Sequence, residues 1–333
     1  MKNAVFLCVA IISVTLISNK SSAMLSSRER VFIIEERLLL ESPHPKINDL
    51  RIWIPIPSDD EWQTVDDFNL KSPFAINFLT ENKYRNKILY LKSKQNAPPE
   101  EPQEIVLSYK IQRKERGAAE ETSNYKRGPS RYLKADRTVP IDGVIKELAV
   151  EITRGKTGDL EKAKAVYEYL LDNYAYAKDD PNVCGIGNSL LTLKYKKGMC
   201  ADWHSLFISL VRSLGIPAKF EIGFPVPENK KEGRIEGHHC WAAFYIKGKG
   251  WIPVDVSEAY KHPEKRDYFF GHIDENRFSV ATGRDILLEN SKNQEPINFF
   301  VYPYVEINGS KFKNVDFKVS FKESVWKGGA YEG

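Results

Sequence analysis

The 333-residue chain lacks the motifs that mark several large functional classes. It has no Walker pattern and no G-x-G-x-x-G run after a strand-like segment, so the glycine loops that bind nucleotide phosphates are absent. It has no G-x-S-x-G segment, which excludes the serine elbow of α/β-hydrolases. It also has no C-x-x-C pair and no acidic loop of calcium-binding spacing, so a metal site is disfavoured and no cofactor is predicted.

An excess of charge of one sign is also missing. Lys and Arg number 49 and Asp and Glu 45, and this net charge of +4 gives no reason to expect the basic face of a nucleic-acid binder. Hydrophobic residues make up 42% of the chain and charged residues 28%, as in an ordinary soluble globular protein. The length allows two domains, each with its own core, and leaves the oligomeric state open.

Only the N-terminus carries a long apolar run. The run covers residues 4–17, follows Lys2 and precedes a Ser-x-Ala sequence that ends at Ala23. It is shorter than the ~20 residues that a membrane-spanning helix needs. This order of segments predicts a secretory signal peptide over 1–23, with an uncleaved anchor as the alternative. The protein is therefore expected to be exported, periplasmic or secreted, with no stable membrane span after cleavage.

Cysteine is scarce, with four residues in the chain. Cleavage of the signal peptide would remove Cys8 and leave Cys184, Cys200 and Cys240. An odd number of cysteines in an exported protein indicates at least one free thiol. Whether Cys184 and Cys240 form a disulfide is left open by the sequence.

Cys200 lies in the most informative segment, KKGMCADWHSLF at 196–207. Gly198 ends a polar stretch, and Cys200 begins a run of helical apolar spacing that continues to about Leu214. Free amide N–H groups and the positive end of the helix dipole at such a position stabilise a thiolate, the reactive form of cysteine. The segment therefore predicts a nucleophile at Cys200.

Two strand-like segments downstream carry the complementary side chains: GHHCW contains His239, and WIPVD contains Asp255. Because side chains alternate along a strand, these two face the same way only if a bulge or an odd-length loop, such as 246–250, joins the strands. That loop pairs position 241 with 255, which makes His239 the diagonal neighbour of Asp255. The sequence therefore predicts an odd loop or a bulge at this point.

Together these positions predict a cysteine–histidine–aspartate site. Cys200 would attack an amide or ester carbonyl, and His239 would hold the thiolate as an ion pair and then protonate the leaving amine. Asp255 would fix the tautomer of the imidazole and favour its charged form. The Cys200 N–H at the helix start is one oxyanion donor, and Asn188 and Tyr176 are the candidates for a second.

Other residues compete for roles in this site. His204 is the rival base, because it lies one helical turn after the nucleophile, but a carboxylate on a strand cannot easily orient it, so His239 is favoured. Trp241 and Trp251 are candidates for the walls of the cleft, with His204 beside them, although strand aromatics are core residues by default. A zinc site is the other competitor, but positions 238–240 alternate faces, so few ligands could converge.

The sequence blocks resemble the bacterial transglutaminase-like superfamily. The likeness rests on Gly-Met-Cys at 198–200 with Leu-Phe at 206–207, RSLGIP at 212–217, His-Cys-Trp at 239–241 and GWIPVD at 250–255. It spans about 160–260 and implies Cys200 as nucleophile, His239 as base and Asp255 as orienting carboxylate. It also implies a papain-like fold, in which a helix carrying the cysteine packs on an antiparallel sheet carrying the other two. The chain departs from the pattern at His204, where many relatives have a small residue.

The remaining sequence indicates two regions. Short segments rich in β-branched and aromatic residues, separated by Pro, Asn, Asp and Ser, occupy about 28–115 and are typical of a β-sandwich. Helical signals start near residue 141. We therefore predict an α+β protein with a β-sandwich domain over 25–130, followed by a transglutaminase-like catalytic domain of helices packed on an antiparallel sheet over 140–330.

These features predict acyl transfer at an amide bond of a peptide or protein, through a thioester on Cys200, with an amine or water as the acceptor. A cysteine protease or amidase acting on peptides or cell-envelope material is the alternative within the same chemistry, because it would use the same triad. A non-enzymatic envelope interaction protein with a vestigial site is the alternative from another class. The identity of the substrate is left open.

Overall fold

The computed structural model describes residues 28–41, 47–93, 102–117 and 129–326, so the predicted signal peptide at 1–23 lies outside the described residues. The strands are β1 (Glu29–Leu40), β2 (Leu50–Ile56), β3 (Gln63–Lys71), β4 (Ala75–Thr80), β5 (Lys87–Lys92), β6 (Gln103–Lys114), β7 (Ala175–Tyr176), β8 (Lys197–Gly198), β9 (Ala218–Pro225), β10 (Glu232–Ile235), β11 (His239–Ile246), β12 (Gly250–Val254), β13 (Arg277–Thr282), β14 (Tyr304–Ile307), β15 (Ser310–Phe312) and β16 (Asp316–Glu323). The α-helices are α1 (Val144–Ile152), α2 (Asp159–Asn173), α3 (Ser189–Tyr195), α4 (Cys200–Ser213) and α5 (Val256–Lys261). Within this described part of the chain, no helix combines the length and apolarity needed to cross a membrane.

The six N-terminal strands, β1–β6, lie in two five-stranded sheets, in the orders β10-β16-β1-β6-β3 and β15-β14-β2-β5-β4. Strand β6 alternates buried and partly exposed residues, the pattern of a strand with one face against a core. Apolar side chains of both sheets meet in one cluster, which includes Leu38, Ile52, Leu89 and Leu107. The predicted α+β class, with a β-rich N-terminal half, is confirmed.

The last strands of the chain complete these N-terminal sheets. Strand β16 runs antiparallel to β1, from Phe32 opposite Glu323 to Leu39 opposite Asp316. Strand β14 pairs with β2 in the other sheet, with Tyr304 opposite Trp53. The sequence predicts that this C-terminal segment belongs to the catalytic region at 140–330. The boundary near 130–140 stays a prediction, but the strand pairing shows that the two ends of the described chain share the same sheets.

Helix α4 occupies the centre of the C-terminal half, and all of its residues are buried. It packs on β9 and β11 of the antiparallel sheet β12-β11-β9-β13, and α1, α2 and α3 pack around it. The helix is followed by Gly215 at a φ of 84°, and the N–H of Ile216 bonds to the Val211 carbonyl at 3.1 Å. Enclosure on all sides holds the first residue of the helix, Cys200, in a defined place.

The β11–β12 hairpin confirms the prediction of an odd loop. Ile246 pairs with Gly250, which leaves three residues, 247–249, between the paired positions. The same register runs back to Ala242 opposite Val254. Continued by one residue, it sets position 241 against 255 and makes His239 the diagonal neighbour of Asp255.

Candidate active site

Cys200 is the first residue of α4 and is only 4% exposed. The backbone before it is held by the carboxylate of Asp202, which accepts bonds of 2.5–2.7 Å from the N–H groups of Gly185, Gly187 and Met199. A Cβ at Gly198 would lie 2.5 Å from the Cβ of Asp202, so only glycine allows this approach. The start of the helix is therefore rigid on the side that precedes the thiol.

The imidazole of His239 lies between Asp255 and Cys200. Its Nε2–H donates to Oδ2 of Asp255 at 2.7 Å, and both side chains are buried. His239 also shares a side-chain hydrogen bond with Cys200. Because Nε2 is bonded to Asp255, Nδ1 is the ring nitrogen left for the interaction with the sulfur. The structure thus brings the three predicted triad residues together.

The charges of these groups favour an ion pair. A hydrogen bond with Cys240, followed by the hydrogen bond and the charge of His239, outweighs burial and holds the pKa of Cys200 well below its ordinary value. Burial alone would lower the pKa of His239, but the charge and hydrogen bond of Asp255 and the bond to Cys200 raise it to about 9. Both shifts favour a thiolate at Cys200 paired with an imidazolium at His239.

Asp255 is held by donors on both oxygens. Its Oδ1 accepts from Ser257 Oγ and from the N–H of Glu258, each at 3.0 Å, and so caps helix α5. Its Oδ2 accepts from Arg277 Nη1 at 2.5 Å as well as from His239. Burial opposes ionisation, but the charges of His239 and Arg277 bring the pKa of Asp255 well below its ordinary value.

His204 is not placed as a base for the thiol. Its Nδ1 lies 2.7 Å from the Cys200 carbonyl oxygen, which can only accept, so Nδ1 carries the proton. Its Nε2 accepts from the N–H of Val256 at 3.1 Å, and the ring is fully buried. Both nitrogens are therefore used, and His204 joins the first turn of α4 to the start of α5.

Replacing His204 with alanine is expected to lower the free energy of unfolding by about 2–5 kcal/mol. The change opens a buried cavity and leaves the Cys200 carbonyl and the Val256 N–H without their partner. Urea denaturation followed by fluorescence measures the difference. His272→Ala is the matched control, because His272 is exposed, and it should change stability by less than about 0.5 kcal/mol. Equal stability of H204A and wild type would contradict the assignment.

Cys240 lies on the face of β11 opposite His239 and is fully buried. Its Sγ is 3.7 Å from Nδ1 of His204, and it shares a hydrogen bond with Cys200. Burial, and then that bond, raises the pKa of Cys240 well above its ordinary value, so it remains a thiol that donates to the Cys200 sulfur. All three described cysteines are free, so the Cys184–Cys240 disulfide left open by the sequence is not formed.

The two oxyanion candidates occupy different places. Asn188 is the N-cap of α3, where its side-chain oxygen accepts from the N–H groups of Leu190 and Leu191 at 3.0 and 3.2 Å. Its side chain is therefore committed to that helix. Tyr176 pairs with Gly198 in the short parallel ladder just before the nucleophile. Burial raises the pKa of Tyr176, and the charge of Cys200 adds to this, so its hydroxyl keeps its proton.

Trp241 and Trp251, considered as walls of a cleft, lie in the interior instead. They are 0% and 2% exposed. Trp241 donates from Nε1 to Glu221 at 2.5 Å, and Trp251 packs edge-on against Tyr132. Both indoles are therefore buried among neighbouring side chains and are not walls of an open cleft. Among the residues that the structure describes, no three Cys, His, Asp or Glu side chains are grouped to hold a metal ion.

Sequence reasoning missed Arg277 and the contact of Cys240. Arg277 lies 22 residues after Asp255, on a strand that pairs with β9, and no motif marks it. Cys240 stands in the His-Cys-Trp block, but strand alternation placed it away from His239 and gave no sign that it would reach the nucleophile.

Known proteins resemble this chain in the region that contains the site. Residues 146–256 match the family model of the transglutaminase-like superfamily. An uncharacterised protein of Haemophilus influenzae is 28% identical over 310 residues, which cover 80% of this chain and 82% of that protein. The uncharacterised protein YebA of Bacillus subtilis is 26% identical over 147 residues, or 40% of this chain and 20% of YebA.

A solved structure shares the fold. A candidate cysteine protease from Cytophaga hutchinsonii is 17% identical, with 90% of this chain and 93% of that chain covered and a TM-score of 0.59. The family match at 146–256 includes Cys200, His239 and Asp255. The resemblance found in the sequence is confirmed: residues 146–256 match the transglutaminase-like superfamily.

Proposed function

We propose that the protein is a thiol-dependent enzyme that transfers the acyl group of an amide through a thioester on Cys200. The observation that carries this proposal is the chain of contacts from the buried Cys200 thiol to His239 and from His239 Nε2 to Asp255 at 2.7 Å. A nucleophile, a proton carrier and an orienting carboxylate are the three parts that such a reaction needs.

The proposed reaction begins with attack of the Cys200 thiolate on the amide carbonyl carbon. The oxyanion that forms is stabilised by the N–H of Cys200 at the start of α4. Tyr176 is the remaining candidate for a second donor, because the side chain of Asn188 caps α3. The Nδ1–H of His239 protonates the leaving amine as the C–N bond breaks, which leaves a thioester. His239, now neutral, then takes a proton from the attacking amine or water, and the sulfur leaves as a thiolate.

The proposed substrate is an amide of a peptide or protein, and the acceptor is either a primary amine or water. The description of the Cytophaga hutchinsonii protein as a candidate cysteine protease fits water as the acceptor. Incubation of the enzyme with a glutamine-containing peptide, with and without a labelled primary amine, separates the two. An amine adduct supports transfer, and ammonia or peptide cleavage without an adduct supports hydrolysis. Failure to acylate Cys200 with any peptide amide would favour the non-enzymatic interaction protein.

Export is part of the same proposal. A positive residue, a short apolar run and Ser-x-Ala before position 24 support cleavage after Ala23. Cell fractionation and N-terminal sequencing of the mature chain test this, and the expected first residue is Met24. A full-length chain confined to the cytoplasm would contradict it.

Cys200 is expected to react with iodoacetamide near its maximal rate at pH 7, because its pKa lies well below the ordinary value. A free thiol with a pKa of about 8.5 is only a few per cent thiolate at that pH.

Catalysis also needs the imidazolium, so activity should be present at neutral pH and fall as the pH rises through about 9, where His239 loses its proton. The rate of Cys200 alkylation and the turnover rate, each measured from pH 5 to 10, check both expectations.

His239→Ala provides the matched test of this profile. Loss of the imidazolium should move the alkylation midpoint of Cys200 upward by at least about one pH unit, toward that of a free thiol. His272→Ala, at an exposed site, should leave the midpoint unchanged. A wild-type midpoint equal to that of a free thiol would remove the basis for the enzyme.

A further inference from the structure

Arg277 is a buried cation that contacts the proposed triad. It is 4% exposed, at the first position of β13. Its Nη1 donates to Asp255 Oδ2 at 2.5 Å, and its Nη2 donates to Asp274 Oδ2 at 2.9 Å. The guanidinium is therefore fixed between two carboxylates, a geometry that suits the planar fork of arginine.

The position of Arg277 is set from two further directions. The other oxygen of Asp274 accepts from the N–H of Asn276 at 2.9 Å, which holds that carboxylate in place. The guanidinium carbon lies 5.3 Å from the centre of the Trp241 ring, and Trp241 in turn is 6.1 Å from the His239 ring. The guanidinium of Arg277 therefore makes a cation–π contact with the indole ring of Trp241.

Arg277 and His239 bond to the same atom. Oδ2 of Asp255 accepts from His239 Nε2 at 2.7 Å and from Arg277 at 2.5 Å. Counted from Asp274 to Cys200, the charges alternate: carboxylate, guanidinium, carboxylate, imidazolium, thiolate. Each ion in this row has an oppositely charged neighbour, which is what allows so many charges to be buried together.

The groups around His239 do not all act in the same direction. They come from α4, from β11, from the β12–α5 junction and from β13, and they are Cys200, His204, His238, Cys240, Asp255, Glu258 and Arg277. The anionic members favour the imidazolium, and Glu258 Oε1 lies 3.9 Å from Nε2. The charge of Arg277 acts against them and lowers the pKa of His239.

We propose that Arg277 is a positioning residue of this site. It holds the carboxylate of Asp255 against His239 and offsets the negative charge of that carboxylate. The imidazole of His239 can then both keep and release a proton. This inference rests on the proposed acyl transfer. Without Arg277, the carboxylate is free to turn, and the imidazolium faces negative charge that nothing opposes. The residue touches no reacting atom and acts through Asp255.

The experiment compares Arg277→Met, Arg277→Lys and the control Arg212→Met. Arg212 is a buried arginine that pairs with Asp136 at 2.7 Å, and it lies roughly 18 Å along α4 from Cys200 at 1.5 Å per residue. The readouts are the NMR titration of the His239 ring, the pH profile of Cys200 alkylation, and kcat with KM for the amide substrate. The first two need no turnover, so they decide the role of Arg277 even if the acyl transfer itself is not found.

In Arg277→Met the titration of His239 is expected to move upward by about one pH unit, and kcat to fall roughly tenfold or more with little change in KM. Arg277→Lys keeps the positive charge but removes the planar guanidinium with its two donors. The titration midpoint of His239 should therefore stay within about 0.3 pH unit of wild type, while kcat still falls. Arg212→Met should be less stable but should shift neither profile.

Two results would overturn the proposal: an unshifted His239 titration in Arg277→Met, or an equal shift in Arg212→Met. If Arg277→Met does not fold, Arg277→Lys decides. If Arg277→Lys had the same kcat as the wild type, the planar guanidinium would not be needed to position Asp255 for the reaction.

Discussion

Replacement of Cys200 by alanine is expected to abolish thioester formation and to lower kcat by on the order of 10⁶-fold. No other side chain described near His239 can take over the attack. Cys240 is buried, its pKa is raised well above the ordinary value, and its S–H is directed at the Cys200 sulfur. Without a sulfur at position 200, only binding and the oxyanion donors remain to act on an amide.

Intact-mass spectrometry of the enzyme mixed with an activated peptide ester or amide measures the acyl adduct directly. Cys184→Ala is the matched control. Cys184 is also a buried free cysteine, but its pKa is raised by burial and it lies outside the triad. It should acylate like the wild type. An adduct on the Cys200→Ala protein, or loss of the adduct in Cys184→Ala, would mean that the nucleophile has been assigned to the wrong residue.

Replacement of Asp255 by asparagine is expected to lower kcat by on the order of 10⁴-fold. The amide has the shape of the carboxylate but carries no charge, and its NH₂ group faces a donor whichever way it turns. The imidazolium of His239 then loses its main support, so the pKa of His239 falls below about 9 and the alkaline limb of the activity profile moves to lower pH. Thiolate formation at Cys200 moves to higher pH for the same reason.

The same substitution should also reduce stability. It weakens the cap of α5 and removes one of the two carboxylates that neutralise Arg277, a loss of several kcal/mol in a buried network. Asp136→Asn is the matched control, because Asp136 is a buried carboxylate paired with Arg212 at 2.7 Å at the far end of α4. It should lose stability and keep the pH profile of the wild type. If Asp255→Asn merely followed Asp136→Asn, with lower stability and unchanged kinetics, the carboxylate would have no part in the reaction.

Both predictions depend on a site whose outline can be derived from local patterns. The spacing of apolar residues after Gly198 indicates a helix with Cys200 at its start, and α4 begins at that residue. The alternation of side chains along two strands, with an odd loop between them, indicates that His239 and Asp255 share a face. These are short-range rules: the helical period, the strand period and the parity of a turn all act over about twenty residues or fewer.

The roles of the supporting residues could not be derived in that way. Asn188 caps α3 instead of facing the thiol, and Trp241 and Trp251 are covered by neighbouring elements. His204 shares a helix face with Cys200, as its spacing requires, but its bond to Val256 depends on how α5 packs against α4. The contacts of a buried side chain depend on which helix or strand packs against it. The neighbouring residues in the sequence do not indicate which element that is.

The sequence by itself determined the helix that begins at Cys200 and the hairpin that aligns His239 with Asp255, because each is encoded in contiguous residues with a fixed period. The same short blocks carry the resemblance to the transglutaminase-like superfamily. Only the tertiary structure decided that the final strands close the N-terminal sheets, that Cys240 donates to the reactive sulfur, and that Arg277 shares an oxygen of Asp255 with His239. These contacts join distant parts of the chain, and their energy comes from burial and charge pairing that exist only once the layers have packed.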